Sequence, residues 1–95
     1  MSVGILTLNL HLPDSHSLKD KRRIIKPIIA RLHKEFNVSL IESGHLDLWQ
    51  TSEMTIVCAA NSGQLAEKTL TQIIGYFESH WPDVPVTGEN IEILI

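Results

Sequence analysis

The hydrophobic pattern of this chain alternates between a period of two and a period of 3.6 residues, and no other feature limits its folds so strongly. Leu6, Leu8, Leu10 and Leu12 alternate with Ile5, Thr7, Asn9 and His11, the mark of a strand buried on one face; Pro13 ends it. Ser17 with Asp20 three residues on reads as a capping box. Beyond it Leu18, Ile25, Ile28, Ile29, Leu32 and Phe36 recur at helical spacing, which predicts a first helix over Leu18–Phe36. Pro27 falls inside that helix, where a missing N–H and a clash with the Arg23 carbonyl predict a bend or a split. Alternation returns from Asn37 to Ser43 and, after a loop, from about Gln50 to Ala60. Asn61, with Gln64 three residues later, reads as the start of a second helix striped by Ala66, Leu70, Ile73, Ile74, Phe77 and Trp81. Gly75 lies opposite that stripe. A last strand follows Pro82 and Pro85, with Ile91, Ile93 and Ile95 on one face. Val84 and Val86 are out of phase with them, which predicts a bulge at Gly88.

Two helices interleaved with four strands predict an α+β, ferredoxin-like two-layer sandwich of order β-α-β-β-α-β. Its sheet is antiparallel and four-stranded, both helices cover one face, and the first and third strands are central. A swapped or re-ordered sheet is the rival. The length suits one domain over residues 1–95. The opening residues lack a basic lead and a small-residue cleavage site, and no apolar run reaches eighteen residues, so a cytoplasmic location is expected. Cys58, the single cysteine, sits in a strand pattern beside Met54, Ile56 and Ala60, so a buried, reduced thiol is expected and no internal disulfide can form.

Three stretches resemble a bacterial family, the YlxP-like proteins: the opening strand, the SHSLKDKRRIIK segment from Ser15 to Lys26, and FNVSLIESGHLDLWQ from Phe36 to Gln50. The family's motif positions fall on Ser17, Leu18, Lys19, Lys21, Arg22, Gly44, His45, Asp47, Trp49 and Gln50. The resemblance implies a domain of unknown function with a ferredoxin-like fold. Genes of the family often lie beside genes for translation initiation and ribosome maturation, so it also implies a ribosome or RNA connection.

Charge is unevenly placed. The net charge is −3, which argues against a general nucleic-acid binder, yet seven of the eight Lys and Arg lie between Ser15 and Phe36, where Asp20 and Glu35 are the only acids. That stretch carries +5 on a body of −8. At 100° per residue Lys19, Arg22, Arg23, Lys26, His33 and Lys34 fall on one side of the first helix, opposite its apolar stripe. Like charges at i,i+3 and i,i+4 spacing cost roughly 0.2–0.5 kcal/mol each. RNA phosphate would relieve that repulsion and release counterions; a merely solvated face is the plain alternative. Lys21 lies at the edge of the apolar stripe and aims at the end of the sheet, either toward an anion or as a snorkelling stem with a solvated ammonium.

The predicted topology brings three loops to one end. They carry Asp14, Ser15 and His16; then His45, Asp47, Trp49 and Gln50; then His80, Trp81 and Asp83. Such an end could hold a small anion at the helix N-terminus with Lys19 or Lys21, making the protein a dimeric module that binds or acts on that ligand. The competing view is a hairpin held by Asp47 turn bonds and a packed Trp49. His16, His45 and Asp47 lack a compact metal-ligand spacing, and His45 with Asp47 is a weak acid–base pair, so no metal, cofactor or catalytic residue is assigned. The helix-free face of the sheet is expected to show Ile5, Thr7, Asn9, His11, Ser39, Ile41, Thr55, Val57 and Leu94. Without aromatics it is unsuited to stacking single-stranded RNA, but it suits a homodimer contact or a protein adaptor. The leading expectation is a non-enzymatic RNA- or ribosome-associated protein whose Lys19, Lys21, Arg22, Arg23, Lys26 and Lys34 bind phosphate.

Overall fold

A computed structural model describes residues 1–95. Its elements run β1 (Ser2–His11), α1 (Leu18–Glu35), β2 (Ser39–Gly44), β3 (Thr51–Ala60), α2 (Gly63–His80) and β4 (Val86–Leu94). The four strands form one sheet in the order β2-β3-β1-β4, and every neighbouring pair is antiparallel. The two central strands pair without interruption from Ser2 opposite Ala60 to His11 opposite Thr51. This is the ferredoxin-like α+β sandwich that the periodicities predict.

Strand alternation decides which side chains meet the helices. Leu6, Leu8 and Leu10 of β1, Met54, Ile56 and Cys58 of β3 and Leu40 of β2 turn to one face. There they are buried with Ile25, Ile28 and Leu32 of α1 and Ala66, Leu70, Ile73, Ile74 and Phe77 of α2. Cys58 is free and buried, its thiol 3.8 Å from the Ala66 carbonyl. Gly4 occupies an inner-face position because α2 crosses directly above it. A Cβ there would lie 2.8 Å from Leu70 Cδ1 and 3.2 Å from Ala66 Cβ. Leu70 can turn aside, but Ala66 Cβ is fixed to the helix backbone. Gly4→Ala is therefore expected to lower stability by about 1–3 kcal/mol, read as a lower midpoint in urea unfolding with an unchanged slope. Gly75 is the opposite case: a Cβ there would meet nothing within 4 Å, and nothing in the structure requires glycine.

Several expected boundaries move slightly. α1 ends at Glu35 with Phe36 as its C-cap, and Ser62, not Asn61, caps α2 by accepting from Leu65 N at 3.2 Å. The α1 cap is as expected: Ser17 Oγ accepts from Asp20 N at 3.0 Å, while the Asp20 carboxylate accepts from His16 N at 3.0 Å. Pro27 does not split the helix, which runs unbroken from Leu18 to Glu35. Pro27 and Arg23 are both exposed, so water can meet the Arg23 carbonyl that the proline leaves without a donor. In β4 the pairing shifts between Asn9 opposite Gly88 and Leu10 opposite Val86, so one extra residue, Thr87, reconciles the phases of Val86 and Ile91. Between the helices, Arg31 Nε donates to Tyr76 Oη at 2.8 Å, and the Phe36 ring meets Tyr76 edge-on at 5.3 Å.

Candidate nucleic-acid interface and the loop end

α1 separates its residues cleanly. Lys21, Ile25, Ile28 and Leu32 are buried, whereas Lys19, Arg22, Arg23, Lys26, His33 and Lys34 are all exposed on the other side. From Lys19 to Lys34 this face runs about 22 Å along the helix axis. Only two ion pairs exist in the molecule: Lys21 with Glu42 at 2.7 Å and Arg31 with Glu35 at 3.6 Å. Lys19, Arg22, Arg23, Lys26 and Lys34 thus have no carboxylate within 4.0 Å, although the rest of the chain carries excess acid. Their mutual repulsion is unrelieved by neighbouring acids.

Lys21 must be removed from the phosphate-binding set, and the expected solvated ammonium is corrected with it. The residue is 2% exposed. Its Nζ lies 2.7 Å from Glu42 Oε2 and donates to the His45 carbonyl at 2.6 Å, while Ser52 Oγ donates to the same Glu42 oxygen at 2.8 Å. Glu42 shares the inward parity of Leu40, and Ser52 that of Met54, so both polar groups come off the sheet beneath the first turns of α1. The buried amine is matched by a carboxylate and a carbonyl, as an interior charge requires. Glu42 and Ser52 are the residues that sequence reasoning missed. The available signal was parity: an acid at an inward strand position calls for a base.

The first two loops do meet. Gln50 joins them: its side-chain Nε2 donates to the Ser15 carbonyl at 3.1 Å, and its own carbonyl accepts from Leu12 N at 2.8 Å, with His11 Nδ1 at 3.0 Å. His45 adopts φ 58°, a left-handed conformation that turns its carbonyl to both Lys21 Nζ and Leu48 N. The third loop reaches the same end through Pro85, whose carbonyl accepts from His11 N at 2.9 Å, but no hydrogen bond links it to the other two loops. His80 instead stacks on Tyr76 at 3.8 Å, and Trp81 packs against Phe77.

The loop side chains do not converge on a ligand. His16, His45, Asp47 and Gln50 are exposed, and no hydrogen bond joins His45 to Asp47. No group of three His, Cys, Asp or Glu side chains is placed to hold a metal. Trp49 is not the packed residue of the hairpin reading: it is 54% exposed, beside Leu46 and Leu48. Trp49 lines a shallow cleft of about 320 Å³ with Asp47, Leu48, Gln50 and Thr51. Thr51 Oγ1 is the one buried side-chain polar atom without a hydrogen-bond partner. On the helix-free face Ile5, Thr7, Asn9, His11, Thr55 and Val57 are half-buried and Ser39, Ile41 and Leu94 exposed. No helix is long and apolar enough to cross a membrane.

Fold and surface together define a small ferredoxin-like sandwich with a basic first helix and a loop end tied to that helix from beneath. A family model described as "Protein of unknown function (DUF503)" matches residues 3–90, and the chain belongs to that family. It is 32% identical over 90 residues to "Uncharacterized protein YlxP" of Bacillus subtilis (strain 168), an alignment covering 95% of this chain and 97% of that protein.

Proposed function

We propose that this protein is a non-enzymatic, RNA-associated module of the cytoplasm that holds phosphates on the exposed face of α1, with a ribosomal subunit as its natural target. One observation carries the reading. Five cations on one helix face lack a carboxylate partner in a molecule of net charge −3. A face shaped only for solubility has no reason to avoid the acids so plentiful elsewhere, whereas a phosphate-binding face does. The preference for RNA over other polyanions comes from the YlxP-like resemblance.

The competing idea of an anion site at the loop end gains no support. Asp20 already sits in the first turn of α1 and takes the His16 N–H, and Lys21 is committed to Glu42. About four phosphates along α1, contacted by Arg22, Arg23, Lys26 and Lys34, correspond to affinity in the micromolar range for so small a footprint. Ultracentrifugal co-sedimentation with ribosomal subunits tests the proposal. The protein is expected in the pellet at low salt and in the supernatant at high salt. A supernatant protein at every salt concentration would remove the ribosome from the reading.

A further inference from the structure

We infer that Trp49 extends the phosphate-binding face with a stacking platform for one unpaired nucleobase of the bound RNA; this rests on the function proposed above. The aromatic residues divide sharply. Phe36, Tyr76, Phe77 and Trp81 pack against one another along and between the helices. Trp49 alone has no aromatic neighbour and stands 54% exposed on the β2–β3 loop. A large ring left in water is costly unless something covers it.

The loop that carries Trp49 is braced on both sides of the ring. Before it, the His45 carbonyl accepts from Lys21 Nζ at 2.6 Å and from Leu48 N at 3.1 Å. After it, Gln50 donates to Ser15 O at 3.1 Å and accepts from Leu12 N at 2.8 Å. Stacking on such a loop loses little further chain entropy. The Gln50–Ser15 bond also fixes the location. Ser15 lies two residues before the α1 cap Ser17, so the loop meets the N-terminal end of α1, where Lys19 is the first exposed cation.

Charge identifies the occupant. Asp47 flanks the ring and Lys21 is buried, so a phosphate is unwelcome in the cleft itself. A neutral base is not repelled. Its face suits the indole, and its edge can hydrogen-bond with Asp47 or Gln50, while the flanking phosphates reach the cations of α1. The target is therefore RNA with an unpaired nucleotide beside the bound backbone, not continuous duplex. The helix-free sheet face offers no aromatic for the same task.

The test uses the full chain with two probes, a short single-stranded oligoadenylate and a blunt RNA duplex. Trp49→Ala is expected to weaken binding to oligoadenylate about 5- to 150-fold and to leave duplex binding unchanged. Trp49→Phe should retain most of the affinity. In a Trp81→Phe background, oligoadenylate should quench the remaining indole emission, and the duplex should not. Equal loss on both probes, or no loss on either, would overturn the stacking assignment while leaving phosphate binding by α1 intact. Wild-type protein that binds neither probe would overturn both. Matching circular-dichroism melts for Trp49→Ala and wild type show that any loss is not unfolding.

Discussion

Lys21→Ala is expected to lower the unfolding free energy by about 2–4 kcal/mol and the melting temperature by at least about 10 °C. Breaking a buried ion pair by deleting one partner typically costs about 3–5 kcal/mol. The lower figure applies here because the Glu42 side chain is 20% exposed and can recover some hydration. The deletion also removes one of the two donors to His45 O, leaving Leu48 N, and leaves Glu42 with Ser52 as its only partner. Removing both charges should hurt less. Lys21→Met with Glu42→Leu is expected to recover most of the loss, apart from roughly 1 kcal/mol for the Ser52 hydroxyl left without its acceptor. Urea unfolding of the wild type and these two variants checks both numbers. If Lys21→Ala melts with the wild type, the amine is solvated and the buried cluster is wrong. Affinity of folded Lys21→Ala for duplex RNA, which does not use the Trp49 loop, should match that of the wild type, because the Lys21 ammonium does not face the binding surface.

The double charge reversal Arg23→Glu with Lys26→Glu should separate binding from folding in the opposite sense. Both side chains are exposed and unpaired, so nothing in the core depends on them. The reversal turns the repulsive 19/23 and 22/26 spacings into attractive ones, leaves the 23/26 pair repulsive, and turns the attractive spacing of Asp20 with residue 23 into a repulsive one. Stability should therefore be unchanged or rise by a few tenths of a kcal/mol. Binding should collapse. Losing two of about four phosphate contacts at physiological salt costs about 15-fold on a single strand and about 30-fold on a duplex, before the repulsion of two new acids is added. Filter binding with a short oligoribonucleotide and a thermal melt of the same sample measure the two effects. A variant that binds as well as the wild type would move the interface off α1.

The fold was legible because its determinants are local and periodic. Four strand patterns of period two and two helical stripes leave few arrangements once right-handed connections are required, and even the Thr87–Gly88 irregularity showed as a phase slip between Val86 and Ile91. The basic face was legible for the same reason, since helix geometry alone sorts Lys19, Arg22, Arg23, Lys26 and Lys34 to one side. What escaped depended on contacts between segments far apart in sequence. Lys21 could be placed at the edge of the stripe, but its partner Glu42 lies 21 positions on in another element, and strand parity says only that Glu42 needs a base, not which one. The motif offers Gln50 as a ligand candidate, yet it braces the loops against each other. Trp49 was expected either to pack or to meet a ligand. It stands exposed on a loop that begins at the left-handed His45, and no pattern in the sequence reveals that conformation.

The salt dependence of RNA binding by the wild-type protein tests the central claim most directly. A labelled short oligoribonucleotide is titrated at several salt concentrations between about 50 and 200 mM. Contact with about four phosphates predicts a log–log slope of about −2.8 on a single strand and about −3.6 on a duplex. Affinity that stays flat across this range, or no binding at its lower end, would contradict a phosphate-holding α1.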